Sequence, residues 1–243
     1  MNKIACIITN YNMPERTDAL AEFILKKYKK IVDLIVVDNA SDLVPPSQYT
    51  TLFLKENIQS TGGWLRGLEE AKKLNPFAYW FIITSAEFIG KDCLNPMIKL
   101  LENNPNAVGV HPALSLDSST PWKHLFTRGK PSRKTWYIDN ISSLWRADWF
   151  DSVGGFDPDL KYAWGIDFDI CWKARSQGKE IWITEPAGMK KLTNIGYAMK
   201  RMNMTMEMRS FLAGQNMTCV LAGKYGPFWH DKLTLEFVTH DLL

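Results

Sequence analysis

The strongest constraint on this chain is a rhythm in which short apolar runs rich in β-formers alternate with segments of helical period. "KIACIIT" (Lys3 to Thr9), "VDLIVVD" (Val32 to Asp38), "TTLFLK" (Thr50 to Lys55), "AYWFIIT" (Ala78 to Thr84) and "AVGVHPA" (Ala107 to Ala113) read as strands. Between them, "PERTDALAEFILKKYKK" places Pro14 in a first helical turn and repeats Leu20, Phe23, Ile24 and Tyr28 at helical intervals. "GGWLRGLEEAKKL" and "NPMIKLLENN" continue the pattern. Strands alternating with helices predict an α/β fold with a mostly parallel central sheet and crossover helices on its faces. At 243 residues and 46% hydrophobic content, the chain is long and apolar enough to bury a sizeable core.

The second half changes character. Ser115 to Trp136 is polar and basic without a clear period, which predicts a long loop of the kind that often serves as a lid. A mixed region runs to about Pro186, and a methionine-rich helical segment is expected from Ile195 to Lys224. The economical division is one domain, 1–194, with a C-terminal helical extension, 195–243, packed on it or at an interface. A net charge of +3 is too slight to argue for nucleic acid. Cys6, Cys93, Cys171 and Cys219 are scattered, so neither a zinc site nor a disulfide framework is expected. No apolar run reaches the length of a signal-peptide core or a membrane span, so a cytoplasmic protein is expected, with the inner face of a membrane as its nearest approach to lipid.

In an open parallel sheet, ligands bind beyond the carboxyl ends of the strands. Here those ends are polar: "TNYNMPER", "DNASD", "NIQSTGGWLRG" and "TSAEF". Asp38 at a strand end suits hydrogen bonds to a base or ribose, and Gly62 and Gly63 would let backbone amides approach a phosphate. Ordinary turn chemistry is the alternative for each loop. No GxGxxG follows the first strand, which argues against a nicotinamide dinucleotide.

"IITNYNMPERTDAL", "LIVVDNASD", "NIQSTGGWLRGLEEA", "SVGGFDPDL" and "WGIDFDICWKAR" resemble, in that order and spacing, the blocks of family 2 inverting glycosyltransferases of GT-A fold, with a rhamnosyltransferase-like subgroup as one candidate. The blocks span Ile4 to about Lys191. The resemblance implies a nucleotide-sugar donor whose base and ribose lie among Thr9, Asn10, Tyr11, Arg16, Asp38 and Asn39. Gly62, Gly63, Arg66 and Ser85 would stand near the diphosphate or donor sugar. It also implies an acceptor hydroxyl on a glycan or a lipid-linked saccharide.

The family carries a Glu-Asp-x-Asp type motif whose central Asp is the general base. Here Ile166 replaces the Glu and Asp167 takes the base position. Inverting transfer needs an acceptor hydroxyl deprotonated as it attacks the anomeric carbon, and a poorly hydrated carboxylate can do this. Helix capping is the alternative role for an acid at such a place. Capping is assigned to Asp169, while Trp164 and Tyr162 are expected to offer a wall for a sugar and Trp172 to join the core.

Two departures bear on mechanism. Where the family usually holds Mg or Mn on an Asp-x-Asp element, this chain has "TSAEF", leaving only Glu87 as a weak ligand. Downstream, where many relatives supply a histidine, it has Lys190 and Lys191. A leaving diphosphate must be stabilised by something positive, so either lysine, with Arg66 or a basic residue of 128–134, is a candidate replacement for the metal. Surface lysines beside a residual metal site are the alternative.

"SVGGFDPDL" reads as a tight turn holding a buried Phe156. Asp139, Asn140 and Trp145 are candidates for the acceptor side. The methionine-rich tail suits packing, a homodimer interface or peripheral membrane contact. A non-catalytic sugar-nucleotide-binding or scaffolding protein stays open as the rival reading. A nucleotidyltransferase is less favoured, because "TNYNMPER" lacks an early Gly-rich phosphate loop.

Overall fold

A computed structural model describes residues 3–90, 92–193 and 204–234. Its centre is a nine-stranded sheet made of β1 (Ile4–Asn10), β2 (Val32–Asp38), β3 (Leu52–Phe53), β4 (Ala78–Ile82), β5 (Ala86–Phe88), β6 (Ala107–Leu114), β7 (Arg133–Thr135), β8 (Ser142–Arg146) and β9 (Glu180–Lys191). The strand order is β3-β2-β1-β4-β8-β6-β9-β5, with β7 on β9. β1, β2, β3, β4, β6 and β9 point one way, and β5, β7 and β8 point the other. The mostly parallel sheet expected from the apolar runs is therefore present, with β8 wedged antiparallel between β4 and β6. Helices α1 (Pro14–Tyr28), α2 (Gln59–Lys72), α3 (Leu94–Asn103), α4 (Ala147–Ser152), α5 (Ile166–Ser176), α6 (Met206–Tyr225) and α7 (Trp229–Thr234) complete the described elements.

Burial explains the sequence rhythm. Every residue of β4 is buried, as is nearly all of β1, because helices cover both faces of the sheet. On α1 the buried Leu20, Ala21, Ile24 and Tyr28 form the inward stripe, with Lys26 and Lys27 in the last turn where the helix dipole favours cations. α2 lies closer to the sheet than a side chain would allow. A Cβ on Gly67 would meet Ile7 and Val37, so glycine there permits the approach. Gly67→Ala should cost about 1–3 kcal/mol through overpacking. A urea melt checks this: an unchanged midpoint would mean that α2 can lift off β1 without loss.

The segment 115–136 is not the free lid its composition suggested. It contains a 3-10 turn, Lys123–Leu125, and the strand β7. Arg133 braces it from beneath: one guanidinium nitrogen donates to Glu185 at 2.7 Å, and another to the carbonyls of His124 and Phe126 at 2.7 and 2.8 Å. Glu185, with a side chain 6% exposed, also accepts from Thr127 Oγ1 and the Arg128 amide. Burial alone would raise the Glu185 carboxyl, but the hydrogen bonds from Thr127, Arg128 and Arg133 outweigh it and hold it below the usual range. The segment lacks periodicity because its order comes from contacts with distant residues, the Arg133–Glu185 pair and the β7–β9 ladder among them.

α6 lies across α5. Asp169, expected to cap α5, instead makes a buried clasp with α6: it receives Lys224 Nζ and the Tyr225 hydroxyl on Oδ1, and its Oδ2 stands 3.0 Å from Lys173 Nζ. Burial favours protonation, yet Lys173, Lys224 and Tyr225 prevail and keep this carboxyl below its ordinary range. Trp172 is half-buried against Tyr225, as expected of a packing residue. Of the helical stretch predicted from Ile195, 195–203 falls outside the described residues, as does 235–243 of the extension. Among the described residues, no helix is long and apolar enough to cross a membrane.

Candidate functional site

The carboxyl ends of β1 and β2 meet in a closed polar network. Asn10 donates from Nδ2 to Asp38 at 2.7 Å, while its Oδ1 accepts from the Met13 amide and Thr17. Asp38 also accepts from the amide and hydroxyl of Ser41, both at 2.8 Å. Asn12, at φ 54°, bridges to the amides of Asp42 and Leu43. Asn39 reaches the other way, accepting from the Ile58 amide and donating to Gln59 O at the start of α2. Asp38 and Asn39, expected to face a ribose, therefore hold three loops in one arrangement. Asp38 accepts three hydrogen bonds within the chain, two on Oδ2 and one on Oδ1.

The two glycines expected near a phosphate are also closely packed. Gly62 and Gly63 lie in the second turn of α2, inside the helical ladder. A Cβ on Gly63 would overlap the Thr9 side chain, and one on Gly62 would crowd Ile58. Of the amides at the helix start, Gln59 N donates to Asn57 Oδ1 and Thr61 N to Lys161 O. Arg66, further along α2, pairs with Glu69 at the surface. Tyr11 is half-buried and donates to Asp42 at 3.4 Å, and Arg16 sits in the first turn of α1. Thr9 Oγ1 is buried with no hydrogen-bond partner.

At the end of β4 the chain turns through Thr84 and half-buried Ser85, whose carbonyl accepts from the Leu192 amide at 2.8 Å. Glu87 is exposed and pairs in register with Lys190, on the face of β5 opposite Ala86 and its partner Lys191. Lys190 itself contacts Asp117. The two lysines thus diverge and have different neighbours. Lys191 lies close enough to Asp139 and Asp167 for its charge to act on both.

Asp167 is 8% exposed, in the first turn of α5 behind Gly165 at φ 89°. Leu160, Met217 and Leu221 crowd the position where a Gly165 side chain would stand, so this entry needs glycine. Its hydrogen-bond partners lie in 137–140. Oδ1 accepts from the Asn140 amide at 3.1 Å and from Asn140 Nδ2, and Oδ2 accepts from the Tyr137 hydroxyl at 3.3 Å. Burial pushes the carboxyl well above the usual range and Asp139 adds to this, while Asn140, Tyr137 and Lys191 pull the other way. Asp139 is likewise raised by burial, against Lys191 and the Asn140 amide. Two acids and one lysine therefore share a poorly hydrated corner. Sequence reading found Asp167 and Lys191 and named Asp139 and Asn140 for an acceptor, but missed Tyr137; nothing in "WYIDN" marks its hydroxyl as a partner of an acid 30 residues on.

A divalent ion on the donor diphosphate would need anionic oxygens beyond β4. Thr84 and Ser85 bring none, Glu87 faces outward with Lys190, and Lys191 occupies the neighbourhood of the two acids. Among the described residues, no three His, Cys, Asp or Glu side chains gather as a ligand set. These residues do not fit a tightly held metal.

No protein-family model matches the chain, and no curated protein sequence matches it. Solved structures do. The chain is similar to GalNAc-T7, in a crystal structure with UDP, GalNAc and Mn2+, at 11% identity and TM-score 0.63, covering 79% of this chain and 45% of that one. It is also similar to the mannosyltransferase PcManGT from Pyrobaculum calidifontis, in complex with GDP-Man and Mn2+, at 16% identity and TM-score 0.61, covering 88% of this chain and 64% of that one. The chain has the GT-A fold, that of nucleotide-diphospho-sugar transferases. It spans about half to two thirds of the length of these two structures.

Proposed function

We propose that this protein is an inverting glycosyltransferase that moves a sugar from a nucleotide-diphosphate donor to a hydroxyl of a glycan or lipid-linked acceptor. The observation that carries the proposal is Asp167: a buried carboxylate at a helix start in a GT-A fold, held by three hydrogen bonds beside a lysine. The acceptor oxygen attacks the anomeric carbon as its proton passes to Asp167, and the bond to the diphosphate breaks on the opposite face. Desolvation makes the carboxylate a stronger base than one in water, and proton transfer of this kind contributes about 10²–10⁴-fold. Lys191, rather than a metal, supplies positive charge as the diphosphate departs. Thr9, Asn10, Tyr11, Arg16, Asp38 and Asn39 border the nucleoside end, with Gly62, Gly63, Arg66 and Ser85 toward the donor sugar and diphosphate, Lys190 at the rim and Glu87 as a marginal ligand at most. Trp164, 41% exposed just before α5, offers a face to a sugar ring.

A thermal-shift screen of nucleotide sugars tests the reading. Ligand at about 100 times its Kd stabilises by about 2.7 kcal/mol, which for a chain this long raises Tm by about 5–10 °C. If none of them shifts Tm, the transferase assignment fails. Calorimetry with the ligand found, in Mn2+ and in EDTA, then tests the role of Lys191. Affinity and turnover should be the same in both; loss of either in chelator would return the cationic role to a metal. The inward engagement of Asp38 and Asn39 favours a second reading, a sugar-nucleotide-binding or scaffolding protein, which predicts binding without turnover.

A further inference from the structure

Behind Asp167 runs a buried chain of hydrogen bonds that starts from an indole donor. The indole of Trp145, fully buried in β8, donates from Nε1 to Ser143 Oγ at 3.0 Å. An indole N–H can only donate, so Ser143 Oγ accepts there, and its hydroxyl proton goes to Asn140 Oδ1. An amide whose oxygen is engaged in this way must turn its NH₂ group to the other side, and Asn140 Nδ2 is hydrogen-bonded to Asp167 Oδ1. This orientation gives the amide oxygen a hydroxyl donor and the NH₂ group a carboxylate acceptor. Each member is buried, Asn140 at 3% exposure and the others at 0%, so water offers no alternative partner.

We propose that Ser143 is a positioning residue, which, oriented by the Trp145 indole, locks the Asn140 amide so that only N–H and O–H donors face Asp167. This rests on Asp167 being the base. With the lock in place, Asp167 receives the Asn140 amide, the Asn140 NH₂ group and the Tyr137 hydroxyl, all of which favour the ionised carboxylate. Its other charged and titratable neighbours are Asp139 and Lys191, while Cys171, on the inner side of α5, feels its charge. Burial and Asp139 oppose ionisation, so the lock keeps the base usable near neutral pH. Without the Ser143 hydroxyl, Asn140 can flip and set its carbonyl against the carboxylate, a contact that only protonated Asp167 tolerates.

The test titrates Asp167 by carboxyl-carbon NMR in protein labelled at aspartate, assigned by difference with Asp167→Asn, and measures turnover against pH on the donor found by thermal shift. In Ser143→Ala the titration should move upward, and turnover on the acid limb should fall about tenfold, the effect of one charge-assisted hydrogen bond on a proton equilibrium. KM for the donor should hold, because Ser143 is buried behind the base. Ser143→Thr should restore the wild-type titration, and Trp145→Phe, which removes the donor but keeps a ring, should shift it as Ser143→Ala does. An unmoved carboxyl titration in folded Ser143→Ala and Trp145→Phe would overturn the proposal. A shifted titration with no turnover in the wild type would uphold the lock while rejecting the transferase.

Discussion

Asp167→Asn should lower transfer by about 10²–10⁴-fold and at the same time make the protein more heat-stable at pH 8. Both effects have the same origin. Burial and Asp139 raise the carboxyl well above its ordinary range, so the folded protein binds a proton there over a window in which the unfolded chain does not. Within that window the folded state holds more protons, so stability falls as pH rises through it. Below about pH 4 the carboxyl is protonated in both states and the cost vanishes. Asparagine fits the same place: its oxygen can accept the two Asn140 donors, and its NH₂ group can donate to the Tyr137 oxygen. Melting temperatures of the two proteins should coincide near pH 4 and separate toward pH 8, with the variant higher. A variant that melts lower at pH 8 would mean that Lys191 more than compensates the burial, and the picture of a base kept under strain would be wrong.

Asp169→Ala should destabilise the fold by about 3 kcal/mol, the lower end for a broken buried pair because Lys224 is one-third exposed and retains some water. A chain of this size would lose about 6–12 °C in Tm. The loss should be local first: Lys224 and Tyr225 would be released, and hydrogen exchange should rise across 206–225 before it rises in the sheet. The sign with pH is opposite to that at Asp167. Here the folded carboxyl lies below its ordinary range, so its contribution is complete above the ordinary value and is lost as pH falls through the folded one. Uniform exchange over the whole chain in Asp169→Ala would show that α6 and the sheet open together.

These contrasts also show how far the sequence could be read. Period and burial delivered the strands and helices of the first half, because a strand covered on both faces is nearly continuous in apolar residues. The polar strand ends pointed to the network that joins β1, β2 and α2, and Asp167 stood out by its place among the blocks. Glycine was harder. Gly62 and Gly63 suggest room for a phosphate, but the packing of Gly63 against the side chain of Thr9, on a strand more than 50 residues earlier, has no local signal. Asp169 looked like a cap because its partners Lys224 and Tyr225 lie over 50 residues downstream, where no local spacing can announce them. The same holds for the Arg133 brace on Glu185, which helps order a stretch with no period of its own. Contacts between residues far apart in the chain leave no periodic trace.

The antiparallel wedge β8 has a consequence for how the chain is made. It pairs with both β4 and β6, so the two halves of the sheet are joined only when residues 142–146 arrive. During synthesis β3, β2, β1 and β4 can assemble early, and until then the outer margin of that nascent sheet is Ala78–Ile82, five residues with no charge and no proline. Such a margin is a template for pairing with another unfinished chain. The interval before β8 emerges from the ribosome therefore leaves an apolar sheet edge uncovered.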